Sequence, residues 1–141
     1  MIELKNEIVI ERPREEVFAF VSTFENVPKW NHYILKVTKT SDGPTGEGST
    51  FHQVRKTEEQ DFRVITYKPN RELAVESIGS SSPQFKRHVT FESEGEDATR
   101  VTDEWKMDMS RSALIEHLEA REVESAVRKN LEKLKELLET D

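Results

Sequence analysis

The chain opens on a strict alternation. "IELKNEIVIE" sets Ile2, Leu4, Ile8 and Ile10 on one side of an extended segment, with Glu3, Lys5, Glu7 and Glu11 mostly on the other. That is the period-two pattern of a half-buried strand. Pro13 then stands where a first helical position accepts it, and Glu15 and Glu16 suit the positive end of a helix. Val17, Phe20 and Val21 follow at i, i+3 and i+4, so the spacing predicts a short amphipathic helix over 13–22. A second short helix is expected over 24–32, begun or interrupted near Pro28.

From Ile34 the period returns to two. Strands are predicted over 34–40, 49–57, 61–68, 72–79, 84–93 and 98–109, separated by "SDGPTGEG", "TEEQ", "KPNR", "GSSSP" and "EGEDA". Consecutive strands with such short joins read as an antiparallel meander, closed by the N-terminal strand. Alternation places Phe85, Arg87, Val89 and Phe91 on one face of one strand. It places Val101, Asp103, Trp105, Met107 and Met109 on one face of the next.

The end of the chain predicts a helix of roughly 25 residues, with Ser110 or Ser112 as its cap. Val123, Ala126, Val127, Leu131, Leu134, Leu137 and Leu138 form one apolar stripe. A sheet face needing cover favours packing on the sheet over a dimer seam. Leu114, Ile115 and Leu118 project to the opposite side of one straight wheel. The sequence therefore predicts a break near Ala120 to Glu122, with the first part bordering a cavity mouth.

Charge narrows the function classes. The net charge is −7 and basic residues are interleaved with acids, which argues against phosphate-backbone recognition. The absence of cysteine removes disulfides, thiolate nucleophiles and Cys-based zinc sites. No run approaches the ~18 apolar residues of a membrane span, and the N-terminus lacks a signal-peptide pattern. A single cytoplasmic domain over 1–141, monomeric or homodimeric, is the expectation. His32, His52, His88 and His117 have no metal-ligand spacing. "GPTGEGS" lacks the Gly-Lys-Ser/Thr ending of a phosphate cradle, and no G-x-S-x-G is present. No catalytic residue, metal or cofactor is assigned.

Against that background, "ERPREEVFAFVSTFENVPKWNHYILKV" resembles the opening of polyketide cyclase/dehydrase-like members of the START-like (SRPBCC) superfamily. "GPTGEGSTF" is similar to that family's glycine-rich entry to its third strand, "VITYKPNRELAVES" to its strand–Pro–turn–strand segment, and "VTFESEGEDATRVT" to its closing hairpin. "NLEKLKELLE" fits the end of its last helix. The resemblance implies an α+β helix-grip fold. In that fold a curved seven-stranded antiparallel sheet carries two short helices after the first strand, and a long C-terminal helix lies over an apolar cavity. It also implies binding or carriage of a small hydrophobic, lipid- or polyketide-like molecule. Some members are instead cyclase/dehydratase-type enzymes, and others are protein-partner modules. The family shares no catalytic motif, so the fold alone does not choose among these.

The expected ligand-binding residues are Trp30, His32, Phe51, Gln53, Val75, Phe85, Arg87, Val89, Asp103, Trp105, Leu114 and Leu118. In the resembling family the Trp30 position packs near the cavity opening, either pinning the short helices or walling the ligand site. The bulk of Phe51, Phe85, Phe91, Trp105, Met107 and Met109 predicts a pocket narrower than a sterol carrier's. Arg87 and Asp103 fall on the inner faces of neighbouring strands and should pair, with Gln53 completing the network, because a lone buried charge is costly. Such a pair either fixes strand register or lets Arg87 meet a carboxylate, phenolate or carbonyl while Asp103 orients it.

Overall fold

The computed structural model describes residues 1–81, 83–108 and 112–140. Seven strands, β1 (Ile2–Ile10), β2 (Ile34–Lys39), β3 (Thr50–Arg55), β4 (Glu59–Lys68), β5 (Glu72–Ile78), β6 (Gln84–Ser93) and β7 (Thr99–Asp108), form one sheet. Its order is β1-β7-β6-β5-β4-β3-β2 and every neighbouring pair is antiparallel. This is the expected meander, closed by β1 against β7. Register shifts at Ile34/Lys36 and Val64/Thr66 are bulges, which bend a strand and increase its twist. The β4–β5 turn carries Asn70 at φ 64, a left-handed conformation that asparagine tolerates better than most side chains.

Between β1 and β2 the chain forms α1 (Arg14–Ser22), a 3₁₀ turn (Phe24–Asn26) and α2 (Val27–Trp30). Pro13 sits just before the first helical residue, and its carbonyl accepts from the Glu16 and Val17 amides, both at 3.1 Å. α1 buries Val17, Phe18 and Val21 against the sheet. Phe51 is fully buried, with ring centroids 4.9 Å from Phe24 and 5.2 Å from Phe62, so the 3₁₀ turn is pinned to β3 and β4 by aromatic contact.

α3 (Ala113–Glu139) runs without interruption. Ser112 caps it, accepting from the Ile115 amide at 3.3 Å; Ser110 and Met109 lie outside the described residues. Val127, Leu131, Leu134 and Leu138 are buried, so the C-terminal stripe packs inward as expected. The predicted break near Ala120 to Glu122 does not occur. The continuous hydrogen-bond ladder keeps the first turns in phase with the rest, which leaves Leu114, Ile115 and Leu118 exposed by 70%, 44% and 69%. The inward position at that level belongs to Glu116, 3% exposed, whose carboxylate pairs with the Met1 ammonium.

On the outer face His52 joins β3 to β4. Its Nδ1 lies 2.8 Å from Asp61 Oδ1 and its Nε2 2.8 Å from Glu59 Oε1. Hydrogen bonding to Glu59, then to Asp61, raises the imidazole above its ordinary value. A raised folded-state value means the stabilisation is complete below the unfolded value, about 6.5, and is lost as pH climbs through the folded one. The groups are solvent-exposed, so the effect is small. Thermal unfolding should therefore show Tm declining slightly from about pH 6 to about pH 8, and His52→Gln should flatten that slope. An unchanged slope in the variant would remove the clasp from the account.

Candidate functional site

Between the inner sheet face, α2 and α3 lies a cavity of about 300 Å³. Its floor is Phe62, Val75 and Phe85, its roof Val123, Ala126 and Val127 of α3, and one wall Val27 and Trp30 of α2. Polar groups sit at defined places: Arg87 and Asp103, Gln53 and Gln60, and Asn130 of α3. Tyr33, Arg55 and Glu122 also border it. The volume stands at the lower end of the range for small-molecule sites. Of the bulky residues expected to line it, Phe85, Trp105 and Met107 do, Phe51 and Phe91 are buried in the core outside it, and Met109 lies outside the described residues. A wider depression of about 590 Å³ lies on the opposite face, but Glu3, Lys5, Lys86, Glu104 and Lys106 wall it with charge.

The deepest polar feature is an ion pair. Arg87 Nε donates to Asp103 Oδ1 at 2.8 Å and Nη2 to Oδ2 at 3.3 Å, with both side chains nearly inaccessible. Opposite Arg87 in the ladder stands Trp105, and Asp103 faces Val89, so the pair is diagonal across β6 and β7. Trp105 Nε1 donates to Asp103 Oδ2 at 3.1 Å. The guanidinium carbon lies 5.2 Å from the ring centroids of both Trp30 and Trp105, so an indole covers it on two sides. Trp30 is 4% exposed within the core and also lines the cavity. Its own Nε1 is buried and finds no partner among the described residues.

Gln53 does not complete this network. It lies on β3, separated from β6 by β4 and β5, and its Nε2 donates instead to Gln60 Oε1 at 2.7 Å. Trp30, Gln53, Val75, Phe85, Arg87, Asp103 and Trp105 are brought together around the cavity. Phe51 and Val89 are buried in the core outside the lining, where neighbouring side chains already cover them. His32 is exposed, with Nε2 2.9 Å from Lys56 Nζ, while its neighbours Asn31 and Tyr33 take the lining positions. Leu114 and Leu118 point into solvent because α3 does not break.

Gln60, Arg55, Asn130 and Glu122 were not anticipated. Asn130 carried a signal, since it falls on the same stripe as Val127, Leu131 and Leu134 and must point inward with them. Gln60 lay hidden in "TEEQ", where the polar run conceals that β4 begins at Glu59.

The family model described as "Polyketide cyclase / dehydrase and lipid transport" matches residues 1–139. This chain belongs to that family. Solved structures agree on the fold. XoxI of Bacillus cereus superposes with a TM-score of 0.77 at 14% identity, covering 98% of this chain and 96% of that one. A START superfamily protein of Mycobacterium smegmatis gives 0.75 at 17%, covering 98% and 99%. The di-domain ARO/CYC BexL, from the BE-7585A biosynthetic pathway, gives 0.73 at 18% over 96% of this chain, which spans 46% of that protein. A search of curated protein sequences returned no match. The fold is therefore the helix-grip arrangement expected of the family, with α3 laid over the sheet. No described helix is long and apolar enough to cross a membrane.

Within this family member, the buried Arg87–Asp103 pair is costly to break from one side only. Arg87→Met leaves Asp103 buried with only the Trp105 indole as a donor, so denaturant unfolding should register a loss of about 3–5 kcal/mol. Adding Asp103→Leu should restore most of it, because no charge is then left behind. A single variant as stable as the parent would show that the pair is not desolvated.

Proposed function

We propose that this chain binds or carries a small hydrophobic, lipid- or polyketide-like molecule in the cavity beneath α3. The observation that carries this reading is the cavity itself: about 300 Å³, apolar over its floor and roof, with the buried Arg87 guanidinium already neutralised by Asp103. Empty apolar space of that size is unfavourable, so an apolar occupant would stabilise the fold. The family description, which joins polyketide cyclases with lipid transport, supports the same class of occupant. Trp30, Gln53, Val75, Phe85, Arg87, Asp103 and Trp105 are the residues assigned to contact it.

Carriage is preferred to catalysis on the state of the acids and bases. No histidine borders the cavity, and both Asp103 oxygens already accept from Arg87 or Trp105. Glu122 at the rim is the cavity carboxylate without a partner among the described residues, and a cyclase/dehydratase reading would have to use it as its base. A partner-binding reading has one observation of its own, the exposed Leu114, Ile115 and Leu118.

Native mass spectrometry of freshly purified protein, followed by solvent extraction, separates these readings. A carrier should show an adduct that organic solvent releases chemically unchanged. A released product that changes when Glu122→Gln is purified in parallel would favour the enzyme. Absence of any adduct, together with a cavity that takes up no apolar probe, would overturn the carrier reading and favour a protein partner.

A further inference from the structure

Seven large apolar side chains stand exposed among the described residues, and five of them belong to two short segments. One segment carries Tyr33 and Leu35, the other Leu114, Ile115 and Leu118. Both reach the mouth of the cavity. Tyr33 borders it directly, and Leu35 follows at the bulge of β2, the last strand of the sheet. On α3, Leu118 stands one turn before Glu122 and Ile115 one turn before Glu119. The helix face that lines the cavity at Glu122 and Ala126 therefore continues into them, and the opening has an apolar lip on either side.

The two lips differ in charge. Residues 26–41 and 48–57, which build the first, hold five cations and no acid in a chain whose net charge is −7. Lys29, Lys36 and Lys56 are exposed there with no carboxylate partner among the described residues. Lys56 Nζ lies 2.9 Å from His32 Nε2 and 5.9 Å from the Tyr33 ring centroid, so its charge stands on the lip itself. Arg55 pairs with Glu58 at 3.2 Å. The α3 lip presents Glu119 and Glu122, and Glu122 is exposed without a partner among the described residues. Arg121, the arginine of that stretch, projects about 100° around the helix from Glu122 and farther still from Glu119.

A surface with an acidic apolar lip and a basic apolar lip on either side of one opening is complementary to itself. A twofold axis running along the opening sets each acidic lip on the partner's basic lip, whereas an axis across it would set like on like. We propose that two copies of this chain associate mouth to mouth about the first of these axes. Leu118 and Glu122 of each copy then meet the Tyr33–Lys56 lip of the other. The pairing takes the exposed apolar side chains out of water, and the rim charges select the orientation. Each cavity is closed by the other copy, so a molecule enters or leaves from the separated chain. None of this depends on what the cavity holds.

Sedimentation velocity of the full chain over a concentration series tests it. At about 50 mM salt the parent should move toward twice the 16.4 kDa of one chain as concentration rises, and about 500 mM salt should weaken the association. Glu122→Lys alone and Lys56→Glu alone should each raise the dimer dissociation constant about tenfold or more, because symmetry counts each reversed charge twice. An equimolar mixture of the two variants should recover the parent's association, since both junctions of the mixed pair then join opposite charges. Leu118→Ser should weaken the dimer at both salt concentrations. A parent that stays monomeric at every concentration overturns the inference. A dimer indifferent to any of the three substitutions is built on another face and overturns it too, as does a mixture that associates no better than its components.

Discussion

A guanidinium taken out of water has to be answered on every side. Arg87 meets that demand with an acid on one edge and an indole on two sides, and the groups that answer it come from different parts of the chain. Asp103 and Trp105 arrive on β7, Trp30 on α2. The charge therefore ties the short helices to the middle of the sheet and sets where one wall of the cavity stands. It also fixes register, because a one-residue slip between β6 and β7 would turn Asp103 to the solvent face and strand Arg87.

The cavity follows from how α3 is seated. Its Val127 joins Ile2 and Leu4 of β1 in a second apolar cluster, so the helix leans on the first edge of the sheet. The far half of the inner face is reached instead by Phe24 and Trp30 of the short helices. Space remains where the two coverings do not meet, above Phe62, Val75 and Phe85. Its floor and roof are apolar, and the buried Arg87–Asp103 pair and the Gln53–Gln60 pair are set into its lining.

Much of this was written in periodicity. Alternation alone carried Arg87 and Asp103 onto inward faces, and a charge forced inward beside another of opposite sign has few alternatives to pairing. The strands were equally legible, since turn-forming residues sit between them. Gln53 was assigned to the wrong partner because a linear reading gives faces but not lateral distance; only the strand order shows that two strands intervene. The reading of α3 failed for a different reason. It required Leu114, Ile115 and Leu118 to be inward, whereas an unbroken, Ser112-capped helix leaves them in water and places Glu116 inside. Exposed leucines are tolerated more easily than interrupted backbone hydrogen bonds.

The placement of the two indoles has an optical consequence. The chain contains two tryptophans, and both border the same cavity beside the same guanidinium. No third indole elsewhere contributes a background. Intrinsic emission from this protein is thus a local signal, sensitive to polarity and contact within one chamber, and an arriving molecule reports its own presence without a label.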